Sequence, residues 1–99
     1  MIVKELTELV ELGVNALRKS KGLNMHLSKV VEKEDLVDYE ILYDVKDSPK
    51  IEKITLSFHI QPLPEFDFDA FGVSIGKTII KRIYTEVKLI DEIERERNS

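Results

Sequence analysis

Two neighbouring runs of alternating residues constrain the fold of this chain more than any other feature. Every odd-numbered position from Val37 to Val45 is apolar, and so is every even-numbered position from Ile54 to Ile60. A period of two is typical of β-strands that bury one face. The segment Lys46-Asp47-Ser48-Pro49 between the runs is rich in turn-forming residues, so the pattern predicts an antiparallel hairpin.

The two strands, predicted over Leu36–Lys46 and Lys50–Gln61, have a constrained register. Inward positions are odd in one strand and even in the other, so facing residues must have numbers whose sum is odd. A four-residue loop satisfies this condition and begins the ladder at Val45–Lys50, followed by Ile41–Ile54, Tyr39–Leu56 and Val37–Phe58. The predicted centre of the core consists of Tyr39, Ile41, Leu56 and Phe58.

Amphipathic helical patterns precede and follow the hairpin. Apolar residues between Ile2 and Ser20 recur at spacings of three and four, which predicts a first helix that ends at Gly22. A second stripe predicts a longer helix over about Ala70–Arg97. Gly13 lies within the first stripe and indicates the close approach of another element, for which packing on the sheet is the simplest explanation.

The segment Leu23–Asp35 has a weaker pattern. Apolar and polar residues alternate up to Ser28, but Lys29 breaks the rhythm, which predicts an edge strand followed by a charged turn. The fold class predicted is therefore α+β in the order α-β-β-β-α: an N-terminal helix, a two- to three-stranded antiparallel sheet and a long C-terminal helix, with both helices on one face of the sheet. A length of 99 residues fits one domain, residues 1–99. We expect its tail, about residues 94–99, to fray or project.

The composition limits the chemical functions that this chain can have. The chain has no cysteine, so disulfides, thiolate nucleophiles and cysteine-bound metals are excluded. We expect no cofactor, no metal and no catalytic residue. The net charge of −4 argues against a polyanionic partner such as nucleic acid. The N-terminal residues resemble neither a signal peptide nor a membrane anchor, which predicts a cytoplasmic protein without membrane contact.

Three patterns come close to reactive motifs. The string Gly72-Val73-Ser74-Ile75-Gly76-Lys77-Thr78 ends like a phosphate-binding loop, but it has three residues between its glycines where the loop needs four. Carboxylates alternate on the polar face of the first hairpin strand. Two histidines are predicted on polar strand faces, where they could lie near each other across the sheet with Asp38 or Glu40 nearby, as in a zinc site. A solvated sheet face explains these five residues more simply: Asp38, Glu40, Asp44, His26 and His59.

The aromatic crossover before the last helix is a candidate partner-binding surface. Phe66, Phe68 and Phe71 fall within six residues. Their rings either close the open end of the core or, if exposed, anchor a partner protein. The crossover is where a binding function would most naturally lie.

The C-terminal helix predicts a homodimer. It would be about 42 Å long, which exceeds the diameter of a small compact domain, so part of it should overhang. Its apolar stripe predicts an antiparallel, two-fold interface with a second copy. The residues assigned to that interface are Ile80, Ile83, Val87, Ile90 and Ile93.

Parts of the chain resemble double-stranded RNA-binding domains. The strand run Tyr39-Glu40-Ile41-Leu42-Tyr43 resembles that family's first strand. The string Gly72-Val73-Ser74, with Lys77, Lys81 and Arg82 after it, resembles the family's phosphate-contacting helix start. The resemblance implies RNA recognition by shape. The chain departs from the family at Ile75 and Gly76, where paired lysines are expected.

These observations predict a small non-enzymatic protein of regulatory or accessory type that acts through a protein–protein surface and self-associates. The alternatives are a nucleic-acid-binding module like the double-stranded RNA-binding domains, and a small enzyme that uses the strand-face carboxylates and a histidine.

Overall fold

The elements follow the predicted order. They are α1 (Ile2–Lys21), β1 (Met25–Glu32), β2 (Leu36–Asp44), β3 (Ile51–His59) and α2 (Phe68–Arg97). The structure is a computed structural model that describes the backbone of residues 2–59 and 68–97 and the side chains of residues 3–59 and 75–97. The α-β-β-β-α prediction is confirmed. Within those ranges, neither helix combines the length and the apolar character that crossing a membrane requires.

The β2–β3 hairpin has the predicted register. Tyr39 pairs with Leu56, Ile41 with Ile54 and Val37 with Phe58. The hairpin closes where the Val45 amide donates to the Lys50 carbonyl at 3.0 Å. Tyr39, Ile41 and Leu56 are fully buried as predicted, whereas Phe58 is half-buried at the margin, with its ring packed edge-on against Tyr39.

The predicted edge strand is present as β1, and it contains a β-bulge that the sequence analysis did not predict. Leu27 pairs with Ile41 and Lys29 pairs with Glu40, so Ser28 is an extra residue without a partner on β2. A bulge shifts the alternation by one position. Val30 therefore pairs with Tyr39 on the inner face and Val31 with Asp38 on the outer face. This shift is the physical reason for the broken rhythm at Lys29.

Both helices cover the same face of the sheet. Leu6, Val10, Val14 and Leu17 of α1 join Ile79, Ile83 and Val87 of α2 and the inward residues of the strands in one core. Thr7 also hydrogen-bonds the Tyr39 hydroxyl at 2.9 Å, which fixes α1 over β2. The helix ends as predicted at Gly22, whose φ of 64° is left-handed.

Gly13 marks a contact between the helices, which corrects the expectation that it packs on the sheet. A methyl group at this position would lie 3.1 Å from Ile79 Cγ2 and 3.4 Å from Ile80 Cγ1 of α2. The absence of a side chain at Gly13 thus lets α2 lie close to α1 while the two share the three-stranded sheet.

The long helix α2 gives the molecule its long axis. Its 30 residues correspond to about 45 Å, against a longest dimension of 52 Å. Its last turns lie over the hairpin loop, where Glu94 accepts hydrogen bonds from Ser48 at 3.3 Å and from Lys50 at 3.2 Å. Glu94, the first residue of the predicted tail, is therefore tied to the hairpin loop, and α2 continues to Arg97. That the tail frays or projects stays a prediction.

Candidate functional site

The predicted aromatic surface lies outside the part of the chain that can be described. Phe66 falls in residues 60–67, and Phe68 and Phe71 belong to the first turns of α2, where only the backbone is described. Their assignment as partner-binding residues stays a prediction.

The five residues predicted for a dimer interface do not share one exposed face. Ile83 and Val87 are 0% and 1% exposed because they fill the core of their own chain. Ile80 and Ile90 are partly buried against that core, and only Ile93 is exposed, at 43%. A helix turns by about 100° per residue, so Ile93 lies about 80° round the axis from Ile83. The stripe read as one surface therefore consists of a core face and a separate flank.

The outer face of the sheet carries the predicted carboxylates, and each has a polar partner. Ser57 donates to Asp38 at 2.6 Å, and the Lys33 ammonium lies 3.1 Å from the same carboxylate. These two contacts hold the pKa of Asp38 below its usual range. Glu40 and Asp44 are likewise paired, with Lys53 and Asn24 respectively. The carboxylates therefore form polar cross-strand contacts on a solvated face.

The two histidines do not approach each other. His26 pairs with Leu42 at one end of β2, and His59 pairs with Leu36 at the other. Six residues of strand separate these positions by about 20 Å. Among the described residues, no group of three or more histidine and acidic side chains could hold a metal ion. The zinc-like arrangement considered from the sequence is therefore not formed by His26 and His59 together.

A polar network ties α2 to β2 and the hairpin loop. The Tyr43 hydroxyl donates to Asp91 at 2.9 Å. Burial, followed by the hydrogen bond and the negative charge of Asp91, raises the pKa of Tyr43 to about 12. A cleft of about 290 Å³ lies beside this contact and includes Lys46 and Arg95 in its lining. The network explains how a polar helix end is held on the sheet.

The two edges of the sheet differ. The strand order β1-β2-β3 makes β1 and β3 the outer strands. The bulge at Ser28 distorts β1, whereas β3 pairs with β2 over nine residues without an irregularity. Natural edge strands are commonly protected by bulges and charges, and a long regular edge is a template for strand addition. In the described part of the chain, β3 has no strand on its second side.

The free edge of β3 exposes a defined set of backbone groups. Since Val45 and Lys50 close the hairpin with a hydrogen bond, every second residue from Lys50 directs its amide and carbonyl toward β2. The residues between them direct theirs outward. These outward residues are Ile51, Lys53, Thr55, Ser57 and His59.

One side of α2 lies directly above the free edge of β3. A cleft of about 350 Å³ between the two elements is lined by Thr55, Leu56, Lys81, Arg82, Thr85 and Glu86. The Arg82 guanidinium lies 5.6 Å from the centre of the Phe58 ring. Farther along α2, Leu89 and Ile93 are 51% and 43% exposed. We call the outward edge of β3 together with Arg82, Glu86, Leu89 and Ile93 the β3–α2 flank.

A basic cluster lies on another side of α2. The ammonium groups of Lys21 and Lys88 lie 5.3 and 4.9 Å from the centre of the Tyr84 ring. The exposed Lys77 and Lys81 precede it on the same helix. Sequence reasoning found these two lysines but missed Tyr84, because the contact with Lys21 brings together the end of α1 and the middle of α2.

No family model matches the chain, and no curated protein or solved structure is significantly similar to it.

Proposed function

We propose that this chain is a small non-enzymatic protein of regulatory or accessory type, and that it binds another protein chain through the β3–α2 flank. The observation that carries this proposal is the regular edge of β3, which is nine residues long and has no strand on its outer side in the described part of the chain. Of the two edges of the described sheet, it is the one without a bulge. Strand addition at such an edge supplies backbone hydrogen bonds for affinity and side-chain contacts for specificity.

The flank combines the features that strand addition uses. The backbone groups of β3 are open, the cleft above Thr55 and Leu56 can receive side chains of an added strand, and Leu89 and Ile93 offer apolar contact. Exposed apolar residues beside a polar rim are typical of protein-binding surfaces. Arg82 and Glu86 add charges of both signs, which favour a partner with a matching pair.

A proline at Thr55 tests the proposal. The Thr55 amide points away from β2, so Thr55→Pro removes a hydrogen-bond donor from the edge without breaking the β2–β3 ladder. Thr55→Val is the matched control because it keeps the amide and a β-branched side chain. Chains that bind the wild type should bind Thr55→Val equally and lose binding to Thr55→Pro. Hydrogen exchange in the complex should slow at Lys53, Thr55 and Ser57.

Two outcomes would contradict the proposal. One is a bound partner protein whose affinity is the same for the wild type and for Thr55→Pro. The other is protection from exchange that is confined to Phe66–Phe71, which would assign binding to the aromatic crossover instead.

A second candidate function is binding of duplex RNA. It is favoured by the α-β-β-β-α order and by the basic cluster around Tyr84. Exposed Glu8 and Glu11 on α1 oppose it, since they would face phosphates if α1 joined the contact. We expect no shift of duplex RNA in gels at physiological salt. A shift that weakens with Lys77→Ala or Lys81→Ala would favour this second function.

A further inference from the structure

We infer that the chain bound at the β3–α2 flank is a second copy of this protein, paired β3 to β3 in antiparallel orientation about a two-fold axis at Thr55. The two sheets then form one six-stranded sheet, with both α2 helices on the same side. This inference rests on the proposed function, because it uses the same open edge and names its occupant.

The residues of β3 whose backbone groups point outward are placed symmetrically about Thr55. The five outward residues are spaced evenly on both sides of it, so antiparallel pairing uses the whole strand. Thr55 faces Thr55 of the second copy, Lys53 faces Ser57, and Ile51 faces His59. Threonine pairs are favourable cross-strand neighbours. A register centred on Lys53 instead places two ammonium groups opposite each other and leaves His59 unpaired.

The position of α2 above β3 is compatible with the same two-fold axis. The cleft lining shows that Thr55 lies level with the stretch of α2 from Lys81 to Glu86. A two-fold axis there runs between Arg82 and Glu86, which are one helical turn apart. Arg82 of each copy therefore faces Glu86 of the other. Within the described residues neither side chain forms an ion pair in its own chain, so both charges are available.

In this arrangement the exposed apolar residues of α2 also contact apolar residues of the second copy. Antiparallel pairing of the helices about a centre between Arg82 and Glu86 brings Ile93 alongside Ile75 of the second copy. Ile75 is partly buried against its own core, and Ile93 lies on the same side of the helix as Ile75. Along α2, Leu89 lies between Ile93 and the two-fold axis. Two apolar clusters thus flank the central charged pairs, one at each end of the interface.

The assembly closes at two copies. A two-fold interface uses the same surface on both chains, so the edges left at the ends of the six-stranded sheet are the two β1 strands. Each carries the bulge at Ser28, and bulged edges resist further pairing.

Charge exchange provides the first experiment. Arg82→Glu places two carboxylates opposite each other at both contacts, and Glu86→Arg places two guanidinium groups there. Each single variant should raise the dimer Kd by about tenfold, measured by sedimentation equilibrium. The double variant Arg82→Glu/Glu86→Arg restores opposite charges and should return the Kd to about the wild-type value. Circular dichroism controls for folding.

Cysteine cross-linking tests the register. This chain has no cysteine, so a single substitution in it gives only intermolecular disulfides. Directly paired residues lie about 5.5 Å apart between Cα atoms, within disulfide range. Thr55→Cys should therefore oxidise rapidly to a covalent dimer. Lys53→Cys is the matched control, because the inferred register separates its two copies by about 13 Å.

The outcomes separate the inference from the proposed function. A wild type that stays monomeric at hundreds of micromolar, or equal cross-linking of Thr55→Cys and Lys53→Cys, overturns the inference. If other proteins bind the wild type and Thr55→Pro abolishes that binding, the proposed function stands even though the inferred homodimer is wrong. A dimer that both Thr55→Pro and the charge variants leave unchanged overturns the inference and places self-association on another surface.

Discussion

Gly13 and Gly76 both lie between the helices, but they have different amounts of space. A methyl group at Gly13 would be 3.1 Å from Ile79, whereas at Gly76 the nearest atom would be Leu9 Cδ2 at 4.0 Å. Alanine stabilises a helix interior by up to about 1 kcal/mol relative to glycine. Only Gly76 can accept that gain without displacing a neighbour, since cores resist added volume.

We therefore expect opposite effects from the same substitution at the two sites. Gly76→Ala should raise the free energy of unfolding by about 0.5–1 kcal/mol, and Gly13→Ala should lower it because Ile79 must shift. Urea denaturation of both variants measures the difference. Equal stabilisation by the two substitutions would mean that α1 and α2 are not in close contact at Gly13.

Tyr43 gives stability a dependence on alkaline pH. Its pKa is raised from 10.0 to about 12, so the folded state holds the phenol proton more tightly than the unfolded chain. This contribution is complete below pH 10 and is lost as the pH rises from about 10 to about 12. Burial and the bond to Asp91 are its causes.

The variant Tyr43→Phe separates the hydrogen bond from the titration. At pH 7 it should lose about 1–2 kcal/mol, because Asp91 loses its donor. Between pH 10 and 12 its stability should fall less steeply than that of the wild type. Denaturant unfolding at several pH values tests this, and parallel pH profiles for the two proteins would contradict the role of Tyr43.

At the scale of elements, the edge strand β1 and the register of the hairpin were predictable, whereas the bulge in β1 was not. The register of β2 and β3 follows from parity and loop length, both of which are visible in the sequence. The broken rhythm at Lys29 is visible in the sequence, but whether it marks a bulge or the end of the strand depends on how Ser28 and Lys29 pair with β2. The end of α1 at Gly22 was predicted because a left-handed residue has a strong sequence preference.

The bulge should protect the β1 edge. Deleting Ser28 leaves Leu27 opposite Ile41 and Lys29 opposite Glu40, so the ladder becomes regular and the edge can pair with other chains. We expect the deletion variant to fold and to form species larger than a dimer in sedimentation velocity. Ser28→Ala keeps the bulge and is the control. Identical sedimentation of the deletion variant and the control would show that the bulge has no protective role.

At the scale of the whole molecule, the candidate site depends on features that local sequence patterns do not contain. Which strand edge is open depends on the strand order, and the level of Thr55 relative to Arg82 depends on how α2 crosses the sheet. The sequence did predict self-association through α2, which remains a proposal. It could not separate the core residue Ile83 from the exposed Ile93, since both belong to one broad apolar stripe.

Adjacent residues of α2 now give contrasting tests of self-association. Leu89 is 51% exposed on the β3–α2 flank, whereas Ile90 is partly buried against the core. Leu89→Glu should raise the dimer Kd by about tenfold and change the free energy of unfolding by less than about 0.5 kcal/mol. Ile90→Glu should instead lower that free energy by more than about 2 kcal/mol, because it places a charge against apolar side chains. Sedimentation equilibrium with urea denaturation of both variants distinguishes the effects. If Leu89→Glu leaves the dimer intact while Ile90→Glu dissociates it without loss of stability, the interface follows the original α2 stripe rather than the β3–α2 flank.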